Sequence, residues 1–159
     1  MKTVSLSELR RGLQNVPLAD LPELCLRLAK YKKENKELLT YLLFEADDEA
    51  EYIRSVKIEL DQQFGDLSWS SPYLTKKGLR KILNYANQRI RYSGQKRTEV
   101  ELLIYFCKKF KTDVPFRNNL IIKNIYLRLI QRIKKTLLAL HEDLQFDYGE
   151  EIKLLDRAK

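Results

Sequence analysis

The stretch that decides the fold is residues 118–144, NNLIIKNIYLRLIQRIKKTLLALHEDL. Its apolar side chains recur every three or four positions, which is the period of one face of an α-helix. These apolar residues are Ile122, Tyr126, Leu129, Ile130, Ile133, Leu137, Leu140 and Leu144. Asn118 or Asn119 is the expected N-cap. The spacing predicts a helix of about 25 residues, the longest in the protein, with neighbours on two sides of its broad apolar stripe.

Three helices are predicted in the first third of the chain by the same kind of spacing. Ser5–Glu8 is a capping box for a first helix, which stops before Pro17 because a proline disfavours helical geometry in the residue preceding it. A second helix is expected over about 20–33 and has a proline in its first turn. Asn35 is the predicted N-cap of a third helix that ends near Ala46.

Two helices are predicted between residues 47 and 94. The acidic run 47–51 suits the positive end of a helix dipole and indicates the start of a fourth helix. Gly65 is expected to end that helix in the left-handed conformation. A fifth helix is expected to begin at Thr75 and to end at Gly94 in the same way.

The remaining helices complete an all-α prediction. Thr98–Glu101 is a capping box for a sixth helix that stops before Pro115, and a last short helix is expected after Gly149. No segment shows the alternation of a half-buried strand. We therefore predict one helical domain over residues 1–159, with about seven to eight mostly antiparallel helices in a bundle or a short α-solenoid.

A faint internal duplication supports the solenoid alternative. The segment 37–42, ELLTYL, recurs sixty-four residues later at 101–106 as ELLIYF. With their flanks these segments define possible pseudo-repeats over 20–64 and 75–144, each of three helices. Two unrelated amphipathic helices rich in Leu and Tyr would also align in this way, so chance similarity remains the alternative.

The run 28–45, LAKYKKENKELLTYLLFE, resembles a stretch found in uncharacterised bacterial helical proteins that are classed only as a domain of unknown function. The resemblance implies a helical fold and a bacterial origin. It implies no activity and no site residues.

The composition excludes several classes of protein. With 159 residues and 44% hydrophobic side chains, the chain is neither wholly disordered nor collagen-like. Its longest apolar run, Leu102–Cys107, is far shorter than the roughly 20 residues of a membrane span. The N-terminus has no secretory signal pattern, so a cytoplasmic protein is expected. Cys25 and Cys107 lie far apart in helical segments and are predicted to be plain buried thiols.

Catalytic and cofactor motifs are missing, so we predict a protein that is not an enzyme and has no cofactor. The five glycines are too widely spaced for a phosphate-binding loop. His141 is the single histidine, and we expect it to be solvated near a helix end rather than to act as a base or metal ligand. The acidic side chains of 47–51 could bind a cation, but complementing the helix dipole is the simpler interpretation.

The charge distribution is the most informative feature. Residues 73–135 hold 17 Lys and Arg against 3 Asp and Glu, whereas the counts are 10 against 13 in 1–72 and 3 against 6 in 136–159. On the fifth and seventh predicted helices, cationic and amide side chains fall at helical spacing opposite the apolar stripe. These candidate contact residues are Lys77, Arg80, Lys81, Asn84, Gln88 and Arg91 on the fifth helix and Arg128, Arg132 and Lys135 on the seventh.

Two functional hypotheses follow from this charge. The first is a non-catalytic interaction or scaffold module whose basic surface binds an acidic protein or a second copy, with Trp69 and Tyr73 as candidate interface anchors. The second is sequence-independent binding of RNA or DNA, with donors such as Asn87 and one stacking ring, Tyr92. Ordinary solvation of the charges and a Trp69 that fills a gap between helices are the simpler alternatives. A membrane partner is not expected.

Overall fold

The computed structural model describes residues 2–115 and 118–156, and these residues confirm the all-α prediction. They form α-helices and one π-helical turn, Tyr41–Glu45, and contain no strand. The α-helices, numbered along the chain, are α1 Leu6–Gln14, α2 Leu21–Tyr31, α3 Lys33–Thr40, α4 Glu49–Gly65, α5 Pro72–Ser93, α6 Lys96–Asp113, α7 Leu120–Leu137 and α8 Glu142–Asp156.

The chain divides into two compact units, an N-terminal unit of residues Met1–Phe44 and a C-terminal unit of residues Glu45–Lys159. The boundary falls inside the first proposed pseudo-repeat, 20–64. The second proposed pseudo-repeat, 75–144, lies wholly in the C-terminal unit. A single domain and an internal duplication both stay predictions.

The N-terminal unit shows which of the predicted caps form. The capping box of α1 is confirmed, because the Ser5 hydroxyl accepts from the Glu8 amide at 3.3 Å and the Glu8 carboxylate accepts from the Ser5 amide at 2.9 Å. The prediction for Asn35 is wrong. Helix α3 begins two residues earlier, and the Asn35 side chain instead donates to the Leu28 carbonyl at 2.8 Å. The prediction that Cys25 is buried is also wrong, because its side chain is exposed.

Helix α6 is the centre of the C-terminal unit and contacts α4, α5, α7 and α8. Its buried side chains cover most of the circumference, as expected for a helix surrounded by others. One narrower side is polar and carries Arg97, Glu101, Tyr105, Lys108 and Thr112. The buried residues of α6 are Thr98, Val100, Leu102, Leu103, Ile104, Phe106, Cys107 and Phe110. Helix α7 contacts α5, α6 and α8, which confirms the prediction of neighbours on two sides.

Three predicted helix termini in the C-terminal unit are wrong, two for local reasons and one because the residue bonds another helix. Helix α4 ends on Asp66 in right-handed geometry, so Gly65 does not need a left-handed conformation. Helix α5 starts at Pro72 because the Ser71 hydroxyl caps it, and Thr75 is fully buried within the helix. Helix α6 starts before Thr98, whose hydroxyl donates to a carboxylate of α4 instead of capping its own helix.

The long C-terminal helix predicted from the sequence is two helices. Helix α7 begins at the predicted cap, Asn119, but ends at Leu137, so the 22-residue α5 is longer than the 18-residue α7. Helix α8 then covers 142–156 and includes Gly149, which does not precede a helix as predicted. The break lets α8 turn back and bury Ile152 and Leu155, which a continuous helix would carry away from the core.

Candidate functional site

The cationic row predicted on α5 lies at the surface. Lys77, Arg80, Lys81, Asn84 and Arg91 are all exposed, on the side of the helix opposite its buried stripe. Gly94 ends the helix in left-handed geometry at φ 66°, as predicted. An amphipathic helix places charge in this way because the apolar stripe alone is drawn into the core.

Among the residues that the structure describes, the cations of this row have no carboxylate partner. Helix α5 contains no Asp or Glu, and neither does α7. Within the described residues, Lys77, Arg80, Lys81 and Arg91 form no ion pair, whereas lysines of α6 do so with Glu151, Asp61 and Asp113. The α5 row is therefore exposed positive charge that no ion pair of the described residues neutralises.

The three cations predicted on α7 divide into two kinds. Arg128 and Lys135 are exposed and, like the α5 row, lie outside every ion pair of the described chain. Arg132 is half-buried, and its Nε donates to the Glu99 carboxylate at 2.6 Å while its Nη1 donates to the Asn87 side-chain oxygen at 2.6 Å. Arg132 therefore joins α7 to α6 and to α5, which is the helix that carries the other cationic row.

Two of the candidate donors for nucleic acid, Asn87 and Gln88, and the candidate stacking ring, Tyr92, are engaged within the protein. The Gln88 amide donates to the Tyr92 hydroxyl at 2.7 Å, and only 9% of Tyr92 is exposed. The Asn87 side-chain oxygen already accepts from Arg132. Because a stacked base needs an open ring face, Tyr92 does not offer the platform that single-stranded nucleic acids use.

The two candidate anchors lie in different environments. Trp69 is half-buried, and its ring centroid is 6.5 Å from that of Phe64, a core residue of α4. Tyr73, in the first turn of α5, is 71% exposed. Trp69 therefore packs against the core, while the Tyr73 ring is exposed at the start of the α5 row.

A polar cluster that the sequence did not predict centres on Glu101 of α6. Its carboxylate accepts from the Tyr148 hydroxyl at 2.7 Å, from Arg97 Nε at 3.0 Å and from Lys57 Nζ at 3.3 Å. Burial acts to raise the pKa of Glu101, but these hydrogen bonds and the charge of Lys57 outweigh it, so the pKa lies below its usual value. Burial and the bond to Glu101 raise the pKa of Tyr148 to about 12.

Two small cavities flank this cluster, one of about 210 Å³ and one of about 90 Å³. Lys57 and Glu101 line both cavities. Since each charge of the cluster already has an opposite charge or a hydroxyl at hydrogen-bond distance, the cluster stabilises the contact of α4, α6 and α8. Residues 57, 101 and 148 come from three distant segments, so no spacing in the sequence could have brought them together.

Residues of the acidic run 47–51 have structural roles at the start of α4, and His141 is an exposed residue of a turn. Asp48 caps α4 by accepting from the Glu51 amide at 3.0 Å, and Glu49 accepts from the hydroxyls of Ser93 and Thr98. His141 is exposed in the turn between α7 and α8. In the described part of the chain, no group of three or more His, Cys, Asp or Glu side chains is placed to hold a metal ion.

A helix that crosses a bilayer needs a stretch of roughly 20 predominantly apolar residues. Among the residues that the structure describes, none of the helices combines the length and the apolar character that this requires.

Comparisons of the chain with protein-family models, with curated proteins and with solved structures find no match. Its function is therefore inferred from the geometry and charge of its own residues.

Proposed function

We propose that this protein is a non-catalytic interaction module and that the cationic rows of α5 and α7 bind an acidic protein partner. The single observation that carries the proposal is a group of exposed cations on two adjoining helices that lack acidic residues. These cations are Lys77, Arg80, Lys81, Arg91, Arg128 and Lys135. Exposed charges of one sign attract a partner of the opposite sign and speed its association.

An acidic protein suits these rows better than a single-stranded nucleic acid, whose bases stack on exposed rings. The ring of Tyr92 is buried, and the amides of Asn87 and Gln88 are engaged within the protein. What remains exposed is charge, the amide of Asn84 and the ring of Tyr73, which is 71% exposed. Tyr73 precedes Lys77 by four residues and Arg80 by seven, so it lies on the side of α5 that carries the cationic row. Tyrosine and arginine are both enriched in protein interfaces.

The test is a titration of the full chain with labelled probes, namely a polyglutamate peptide and single- and double-stranded RNA and DNA, at low and high salt. We expect the peptide to bind at about 50 mM salt and to be released as salt screens the charges. Tighter binding of nucleic acid, weakening about a thousandfold or more by 200 mM salt, would support the second hypothesis instead. No peptide binding at the lower salt would overturn the proposal.

A matched pair of triple variants locates the surface. Changing Arg80, Lys81 and Arg91 to Glu should abolish peptide binding, because it replaces three of the four cations of the α5 row with negative charge. The control changes Lys32, Lys33 and Lys36 to Glu, which alters the net charge equally but leaves α5 and α7 intact. Equal loss in both variants would mean that net charge alone determines binding, and unchanged circular dichroism would show that each variant still folds.

A further inference from the structure

The N-terminal unit exposes much apolar surface. Helices α1, α2 and α3 contain no buried side chain. A unit of residues 1–44 is close to the size below which disulfides, metals or association are usually needed, so its core is small. Exposed apolar side chains of α1 and α2, each at least 39% accessible, are Leu6, Leu9, Leu13, Leu24, Leu26, Leu28 and Tyr31.

Helix α2 and its cap also carry a stripe of four charges, Asp20, Glu23, Arg27 and Lys30, which we name the α2 charge stripe. Their spacings of 3, 4 and 3 place them on one side of the helix. All four are exposed and, in the described residues, none belongs to an ion pair. Glu23 and Arg27 are even in the order and spacing that favour a pair within one helix.

The α2 charge stripe is antisymmetric about residue 25. Asp20 and Lys30 are each five residues from this centre, and Glu23 and Arg27 are each two residues from it. If a second α2 runs antiparallel with its centre opposite this one, Asp20 faces Lys30 of the second copy and Glu23 faces Arg27 of the second copy. A twofold axis repeats both contacts, so all four charges of each copy meet opposite charges.

We propose that a second copy of this chain binds to α2 in this antiparallel register and forms a twofold-symmetric dimer. The same side of α2 borders a groove of about 740 Å³, which the four charges line together with the apolar side chains of Val16, Pro17 and Leu24. Burial of leucines beside the stripe supplies affinity, and the charges fix the register. A twofold contact also closes on itself, which limits the assembly to a dimer.

A second copy fits this helix better than an anionic membrane does. Residues 1–44 hold eight Lys and Arg against five Asp and Glu, so the N-terminal unit is nearly balanced in charge. Asp20 and Glu23 would be repelled by anionic headgroups, whereas in the antiparallel pair they neutralise cations of the second copy.

The test measures the mass of the full chain by sedimentation at concentrations of about 1 to 100 µM, a range that covers common dimer dissociation constants. Glu23→Arg and Arg27→Glu each place like charges opposite one another twice, so each should weaken the dimer by roughly tenfold or more. An equimolar mixture of the two variants restores opposite charges and should dimerise like the wild type. The double variant E23R/R27E should also dimerise.

The controls are Glu34→Arg and Lys36→Glu, which make the same charge changes outside the α2 charge stripe and should leave the dimer intact. A monomeric wild type at the highest concentration would overturn the proposal. The proposal would also be overturned if both stripe variants dimerised as strongly as the wild type. The same holds if the equimolar mixture of the two variants stayed monomeric. Binding of the monomeric wild type to phosphatidylserine vesicles would assign the apolar surface to a membrane and would likewise overturn it.

Discussion

At the scale of single residues, a few side chains of the C-terminal unit bond to other helices instead of stabilising their own helix. Arg132 bonds Glu99 and Asn87 and so connects three helices. The Thr98 hydroxyl, fully buried, bonds Glu49 of α4. Gly94 has a purely local role, because its backbone adopts a left-handed conformation that favours glycine.

Gly94→Ala is expected to lower the free energy of unfolding by about 1–2 kcal/mol, because φ of 66° is left-handed geometry that a Cβ atom strains. Gly149→Ala is the matched control. Gly149 lies inside α8, and within the described chain open space surrounds the position that an alanine methyl group would take. Alanine should therefore stabilise the protein there by about 0.5–1 kcal/mol. Urea unfolding of the two variants measures both effects. A change of the same sign in the free energy of unfolding of both variants would contradict the proposed cause of the Gly94 effect.

At the scale of secondary-structure elements, polar contacts between helices supplement the apolar core. The Glu101 cluster links α6 to Lys57 of α4 and to Tyr148 of α8. The Tyr126 hydroxyl of α7 donates to the Leu155 carbonyl at 2.7 Å and so satisfies an acceptor in the last turn of α8. Helix α8 is thus held by specific hydrogen bonds as well as by Ile152 and Leu155.

Glu101→Gln is expected to lower the free energy of unfolding at pH 7 by about 1–3 kcal/mol, since it leaves Arg97 and Lys57 without their charged acceptor. The pKa of Glu101 is lower in the folded protein than its usual 4.5. Its stabilising effect is therefore present above pH 4.5 and is lost as pH falls through the folded-state pKa. Urea unfolding from pH 7 to pH 3 should show the difference from wild type shrinking toward zero.

The control for this pH series is Asp147→Asn, which neutralises an exposed carboxylate of α8 that has no ion pair within the described residues. It should change the free energy of unfolding by less than about 0.5 kcal/mol. A loss in the Glu101 variant that stays constant down to pH 3 would argue against the charge as its source.

At the scale of the whole molecule, burial is unevenly distributed along the chain. The three α-helices of the N-terminal unit bury no side chain, whereas α6 alone buries eight. Local stability follows the burial of apolar side chains, so the two units should differ strongly in how often their hydrogen bonds open.

Amide hydrogen exchange of the full chain should therefore be slow in α6, near the limit set by global unfolding, and much faster in α1. If the proposed dimer forms, the protection of α2 should increase as the protein concentration rises. In the monomer, α1 should exchange fast whatever the concentration. Equal protection of α1 and α6 in dilute solution would contradict the uneven stability. Mass spectrometry of peptides from each helix gives both comparisons.

The sequence by itself determined that the protein is all-α, where most helices lie, and that the cations gather on α5 and α7. Apolar periodicity and caps such as Ser5 and Asn119 are local properties, and a helix forms from local hydrogen bonds. Only the tertiary structure decided that Arg132 pairs with Glu99, that Tyr92 is buried and that Glu101 accepts hydrogen bonds from three side chains. Those outcomes depend on which faces of distant helices meet, and spacing along one chain does not specify that.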